Sequence, residues 1–292
     1  MRDLWADLHI HTACSDGLLT PSEVIRKARE LSLSAVAIVD HDTVEGITEA
    51  LETGRECQVH VLPGVELSSQ FQGRDIHILG FEIDYTDEKF TEYLALFRQE
   101  RHRRIIRMVG NLNRLGLKLT FEEVEEKSKG GSIGRPHIAE VLMEKGYVET
   151  FQEAFQRYIG YGTPAYEEKY RIQPEKAIAI IAEARGLSFL AHPGYAVTDD
   201  LILHFIKSGL DGIEVVHPNL PENRTRYLIE FARAHGILIS GGSDCHGGRD
   251  GCLLMGKYNV PYAMLEDILR AHEKRFEKKE AMLTGGGIET EG

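Results

Sequence analysis

Short apolar runs alternate with amphipathic stretches along most of the chain. LWADLHIH reads as a strand, and TPSEVIRKARELSLS as the helix after it. That helix has Thr20 as N-cap, Pro21 at its first position and Glu23 three residues past the cap, a capping box with a proline start. AVAIVDHD is a buried strand, followed by a helix from about Thr43 to Arg55. VHVLPGVELSS and DIHILGFEID are further strands. From about Asp84 to Gln173 the period changes. Phe90, Tyr93, Leu94, Phe97, Ile105, Val109 and Leu112 recur at helical spacing, and Thr120 with Glu123 and Thr150 with Glu153 mark two more capping boxes. Alternation then resumes. A helix near Pro174 precedes LSFLAH, a helix at about 199–208 precedes GIEVVH, and a helix at about 222–235 precedes ILISGGSDCH. A last helix near 262–282 leads into a loose tail, TGGGIETEG. Strands alternating with helices imply an α/β protein with a mainly parallel sheet, and seven or so such units suggest a closed or nearly closed barrel. The expected organisation is a discontinuous barrel from residues 1–83 and 174–292, interrupted by a helical insertion at 84–173.

Composition narrows the classes of partner. A hydrophobic fraction of 42% over 292 residues suffices for a real core, and a formal charge of -12 argues against a broad basic surface for duplex DNA. No apolar run approaches the roughly 18 residues of a membrane span, and MRDLWADLHIH carries no apolar secretory core. Cys14, Cys57, Cys245 and Cys252 form no C-x-x-C pair. These features fit a reducing cytoplasm, and Cys14 and Cys245 read as small buried fillers.

The chemistry gathers at the strand ends. His9 and His11 end the first strand, with Asp16 in a Ser-Asp-Gly turn beyond them. His41 and Asp42 end the second and Glu66 the third, and the fourth contains His77. After the insertion come His192, His217, Asp244 and His246. Parallel barrels build active sites at the C-terminal ends of their strands. Residues i and i+2 of a strand share a side, so His9 and His11 can face one ion, and Asp244 and His246 repeat that spacing. Imidazole with carboxylate suits zinc, manganese or iron. So many candidate ligands exceed the four to six that one ion takes, so two or three divalent ions sharing carboxylates are expected. His60, His102, His204, His235 and His272 stand alone and read as surface or satisfied residues. Asp7, Asp40 and Asp42 read as turn residues or supports of the ligands rather than ligands.

The ordered set DLHIHTACSDG, VDHDT, GVELSS, HILGF, AHPG and GGSDCH resembles the PHP family, the polymerase and histidinol phosphatase domain, across residues 1–83 and 174–260. The resemblance implies a distorted (β/α)7 barrel with a di- or trinuclear metal site. Carried over motif by motif, it implies one ion held by His9, His11, Glu66 and Asp244. It implies a second held by Glu66, His77 and His192 with Glu66 bridging, and a third held by Asp16, His41 and His246.

Within the insertion, GGSIGRPHIAEVLMEKGYV and EAFQRYIGYGTPAYEEKY resemble the small stand-alone members of that family. Those act on nucleoside 3′,5′-bisphosphates or trim short RNA from the 5′ end, so the insertion is expected to be a substrate-binding cap. A glycine-rich loop entering a helix is a natural anion site, and Arg135 can fork onto a phosphate. Ser132, Arg135, His137 and Lys169 are therefore the candidate substrate contacts. The basic run RQERHRR reads as a solvated helix face, with Arg101 and Arg104 its strongest exceptions. The expected reaction is phosphomonoester hydrolysis by a metal-bridging hydroxide, with Glu66 and Asp244 at the reacting centre and His217 a candidate proton donor. A histidinol-phosphatase-like enzyme, an amidohydrolase and a non-catalytic module are the alternatives.

Overall fold

A strand that alternates with helices must bury both faces, one toward its barrel neighbours and one beneath a helix. The computed structural model describes residues 4–128, 131–168, 170, 172–248 and 251–284. The chain begins with β1 (Trp5–Ile10), α1 (Pro21–Glu30), β2 (Ala35–Ile38), α2 (Ile47–Cys57), β3 (His60–Phe71) and β4 (Arg74–Phe81). A helical stretch follows: α3 (Glu88–Arg114), α4 (Phe121–Ser128), α5 (Arg135–Glu144) and α6 (Phe151–Ala154), the last running into a π-helical turn at Phe155–Ile159. The chain then alternates through α7 (Pro174–Glu183), β5 (Leu187–Leu190), α8 (Asp199–Lys207), β6 (Gly212–Val216), α9 (Glu222–His235), β7 (Leu238–Gly241), β8 (Val260–Pro261) and α10 (Tyr262–Thr284).

The strands form one sheet in the order β7-β6-β5-β4-β3-β2-β1-β8. It is a distorted, nearly closed barrel. Across the remaining gap the His11 N–H donates to the Cys245 carbonyl at 3.0 Å, and Ile10 bridges Cys245 in parallel register. Four pairs are parallel, but β3/β4, β4/β5 and β1/β8 are antiparallel. The sheet is thus less uniformly parallel than the alternation predicts. The reversal at β4 has a local cause. Gln72 and Gly73, with φ of 48° and 82°, link β3 to β4 in two residues, too short for a crossover helix.

The reversal decides how the insertion is carried. β4 runs from the mouth of the barrel to its floor, so α3 starts at the floor. There the Asp84 N–H donates to the Ala184 carbonyl at 2.7 Å, and Lys89 pairs with Glu183 at 2.7 Å. α3 then climbs to the mouth. Phe90 and Leu94 in its first half pack in the core around the barrel, whereas Ile105, Met108 and Leu112 belong to a separate core with Val124, Ile138 and Leu142.

The predicted helix starts hold with two adjustments. The Thr20–Glu23 and Thr120–Glu123 capping boxes both close. At Thr150 the hydroxyl caps Glu153, but the Glu153 carboxylate accepts from the Glu149 N–H instead. α2 begins at Ile47 rather than near Thr43. Among the described residues, no helix is long and apolar enough to cross a membrane.

Candidate metal centre

The first strand has to turn its histidines inward, and a register irregularity between Asp7 and Ile10 does this. Ala6 pairs with Ala35 in the inner cluster, whereas Ile10 pairs with Ile38 in the cluster beneath α1 and α2. After the irregularity His9 and His11 face the barrel interior, with their Nε2 atoms 3.2 Å apart. Gly242 makes room for this, because a Cβ there would come within 2.4 Å of the His9 backbone nitrogen.

Each neighbouring strand end adds a donor. Glu66 spreads its carboxylate between two groups. Its Oε2 lies 3.3 Å from His9 Nε2, 3.1 Å from His11 Nε2 and 3.2 Å from His41 Nδ1. Its Oε1 lies 2.8 Å from His77 Nδ1 and 3.3 Å from His192 Nε2. Asp244 Oδ1 faces His9 and His11 at 3.3 and 3.1 Å. His246 Nε2 lies 3.2 Å from Asp16 Oδ1. His77 reaches this mouth because β4 is reversed and its N-terminal half lies at the ligand end. Four sets of donor atoms lie within 4.8 Å of one another: His11/Asp16/His41/His246, His9/His11/Glu66/Asp244, His41/Glu66/His77 and His192/His217/Asp244. All nine sequence-derived ligand candidates fall in these sets.

Three observations show that the arrangement fits cations. His77 Nδ1 and His41 Nδ1 are buried near Glu66 without forming hydrogen bonds, and His11 Nδ1 also lacks a partner. Such orphaned groups are costly unless something else satisfies them. The remaining ring nitrogens are oriented from behind: His9 Nδ1–H donates to Glu214 at 2.9 Å and His246 Nδ1–H to the Asp244 carbonyl at 2.9 Å. That tautomer leaves each Nε2 lone pair facing inward. The local charges match as well. Burial alone would depress the His11 imidazole, but Asp244 and Glu66 together outweigh it and push it up to about 10. His41 is pulled down to about 3, mainly by burial, so its ring is neutral at physiological pH. Despite burial, the surrounding imidazoles of His41, His77 and His9 hold Glu66 well below the usual carboxylate range.

Backbone and loops are shaped around the centre. Asp42, His192 and Asp244 take φ of 52°, 32° and 50°. Non-glycine residues in this region carry strain of about 1–3 kcal/mol each and concentrate at functional sites. Asp40 clamps the loop after β1, accepting from the Thr12 N–H at 2.7 Å, the Thr12 hydroxyl at 2.6 Å and the Ser15 hydroxyl at 2.5 Å. Gly17 ends that loop, since a Cβ there would meet the His11 carbonyl at 2.6 Å. Asp7 accepts from the Ser243 N–H at 2.9 Å, and burial raises its carboxyl to about 6. None of Asp7, Asp40 and Asp42 joins a ligand set, and Asp42 instead pairs with Arg101 of α3.

His217 Nε2 lies 3.2 Å from Asp244 Oδ2, while its Nδ1 accepts from the Asn219 N–H at 3.0 Å. With Nδ1 occupied as an acceptor, the neutral ring carries its proton on Nε2. Glu214 is the residue that sequence reasoning missed. It is fully buried, and its second oxygen accepts from the His192 N–H at 2.7 Å. A lone glutamate inside the apolar run GIEVV was the available signal, because a buried charge needs partners.

The insertion contributes a cationic wall. Arg104 is 4% exposed, its Nε donates to the Glu167 carbonyl at 2.8 Å, and its Nη2 is buried without a partner. Burial, then repulsion from Arg135 and Arg101, lowers it to about 10. Arg135 stacks over Phe155 and Tyr166, with Cζ 5.3 and 5.7 Å from the ring centres. The Ser132 N–H ties its loop to the Cys14 carbonyl at 2.8 Å, leaving a buried hydroxyl oxygen without a partner. His137 is placed differently: its Nδ1 accepts from the Gly134 N–H at 3.0 Å, and it lines a cavity of about 400 Å³ with Ser15, Lys127 and Glu140. Lys169 lies outside the described residues.

One expectation follows directly. Protein purified mildly with manganese should carry at least two divalent ions per chain by elemental analysis. A stoichiometry below one in fully active protein would contradict a multinuclear centre.

Comparison with known proteins gives a consistent picture. A family model described as "PHP domain" matches residues 7–187. The 5′-3′ exoribonuclease Rnm of Escherichia coli (strain K12) is 32% identical over 247 residues, spanning 82% of this chain and 84% of that protein. The 3′,5′-nucleoside bisphosphate phosphatase of Chromobacterium violaceum is 32% identical over 254 residues, 84% of this chain and 89% of its own. Among solved structures, one from Bifidobacterium adolescentis, described as a candidate metal-dependent phosphoesterase, superposes with a TM-score of 0.84. It is 33% identical and covers 90% of this chain and 95% of its own.

Proposed function

The chain belongs to the PHP family of metal-dependent phosphoesterases, and on that premise we propose that it removes the 3′-phosphate of nucleoside 3′,5′-bisphosphates. The observation that carries this reading is the cationic wall of the insertion. A substrate with one phosphate needs only the metal centre. Here Arg104 and Arg135 both lie against the Tyr166 ring, and the Arg104 Nη2 and the Ser132 hydroxyl are buried and unspent. Two desolvated guanidinium groups repel each other, and a second, distal phosphate relieves that repulsion while satisfying both donors. Trimming of short RNA from the 5′ end would use the same wall for the terminal phosphate, a reading favoured by the likeness to the exoribonuclease. In either case the insertion acts as the cap that selects substrate.

Two or three divalent ions, with manganese, zinc or iron suited to the donor set, would supply Lewis acidity toward the phosphoryl oxygens and a water of lowered pKa. His9, His11, Glu66 and Asp244 would hold one, Glu66, His77 and His192 a second, and Asp16, His41 and His246 a third. The protein's own part is to place charge and protons. Glu66, reaching both groups of donors, sets their spacing. His217, with Nε2–H aimed inside the mouth, is suited to protonate the departing nucleoside oxygen.

The test separates the two phosphates. Arg135→Ala is expected to lower kcat/KM for a nucleoside 3′,5′-bisphosphate by at least roughly tenfold, the loss of one charge-assisted hydrogen bond. The loss should largely vanish on a 3′-monophosphate, which also serves as the control for an intact cap. Equal losses on both substrates would assign Arg135 to the reacting phosphate or to the fold, and the bisphosphate reading would lose its support.

A further inference from the structure

We infer that Tyr161 forms a stacking platform for the nucleobase of the substrate, an inference that rests on the nucleotide reading above. Tyr161 is 77% exposed, the most exposed large hydrophobic side chain among the described residues. It is not loosely held. The turn that presents it is fixed by the Thr163 N–H and hydroxyl, which donate to the Gly160 carbonyl at 3.2 and 2.8 Å, and by the Tyr166 N–H, which donates to the Thr163 carbonyl at 3.1 Å. An aromatic ring is thus held in water in a set orientation, the condition under which stacking loses least entropy.

Its position gives the ligand class. Tyr161 meets the edge of Tyr166, with ring centres 5.5 Å apart and planes at 66°. Tyr166 in turn lies against both cations of the proposed phosphate site, with its ring centre 5.6 Å from Arg104 Cζ and 5.7 Å from Arg135 Cζ. The free face of Tyr161 therefore stands one ring beyond the site for the distal phosphate. In a nucleotide the base stands one ribose away from its 5′-phosphate. Tyr195, 64% exposed in the loop after β5, is the competing aromatic. Its ring is already used, with Arg224 Cζ 5.7 Å from its centre and its hydroxyl donating to Asn223 at 3.0 Å. Every base offers a π-face, so a tyrosine platform tightens nucleotides without choosing among them.

The experiment compares adenosine 3′,5′-bisphosphate with its base-free counterpart, 1,2-dideoxyribose 3,5-bisphosphate, in the metal-loaded enzyme. Tyr161→Ala should lower kcat/KM for the nucleotide by about tenfold, mainly through KM, and change the base-free substrate by less than about twofold. Tyr161→Phe, which keeps the ring, should retain the wild-type preference. Equal effects on both substrates, or a base-dependent loss in Tyr195→Ala instead, would overturn the platform. A wild type that turns over both bisphosphates equally well overturns it too, yet leaves the bisphosphate reading standing. A wild type that turns over neither overturns both.

Discussion

Glu66→Gln is expected to strip metal from two donor sets at once and to lower kcat by roughly a hundred- to a few thousand-fold, the equivalent of breaking a buried charge pair worth about 3–5 kcal/mol. The size follows from the double duty of one carboxylate. Oε2 serves His9, His11 and His41, and Oε1 serves His77 and His192. Glutamine keeps one acceptor oxygen, turns the other position into a donor and removes the charge around which the imidazoles gather. Elemental analysis should show both ions depleted together, with circular dichroism unchanged. A variant that loses one ion while retaining the other at full occupancy would show that Glu66 is a terminal ligand, not a bridge.

The second large effect is expected at a residue that touches no proposed ion. Glu214→Gln should weaken metal binding by about a hundredfold, the upper range for groups that orient ligands from behind. It should also cost about 1–3 kcal/mol of stability in the metal-free protein, the penalty for a buried donor left unpaired. Both Glu214 oxygens accept hydrogen bonds, from His9 Nδ1–H at 2.9 Å and from the His192 N–H at 2.7 Å. An amide cannot accept both. If its oxygen stays with His192, its NH2 faces His9 Nδ1 and forces the His9 proton onto Nε2, the atom that should ligate. If its oxygen stays with His9, the His192 N–H faces a donor, and a residue already held at φ 32° loses its anchor. Nitrogen-15 spectra of the metal-free protein would show which tautomer His9 adopts. Unchanged metal affinity and an unchanged His9 tautomer would remove Glu214 from this role.

The donor cluster at the barrel mouth was legible because groups suited to metal chemistry leave marks at close range. His9 and His11, two apart on a strand, and Asp244 and His246 in a glycine-rich turn are readable without a fold. So was the Thr20 capping box, whose partners lie within three residues. The direction of β4 was not read, because an apolar strand looks the same in either sense. The two-residue link Gln72–Gly73 was the clue, since it is too short for a crossover. Arg104 was harder. In RQERHRR it resembles its solvated neighbours, and what buries it, the Glu167 carbonyl and the Tyr166 ring, stands some sixty positions away in the chain. His137 has a second use that its spacing does not reveal. A histidine three residues into a helix can serve the helix start, and its ring nitrogen is used there.

The long helix that climbs from the floor to the mouth makes insertions and deletions, more than substitutions, the changes this chain can least absorb. Phe90 and Leu94 fasten α3 to the barrel, while Arg101 and Arg104 carry its charges to Asp42 and the Glu167 carbonyl. Removing one residue between those two points would lower both arginines by about 1.5 Å and swing them about 100° around the helix axis, away from Asp42 and Glu167. Adding seven would nearly restore the angle but lift the cap by about 10 Å. Relatives that keep this cap should therefore keep the count between Phe90 and Arg101 even where the residues between have changed. Those that vary it should have lost the arginines or moved them to another element.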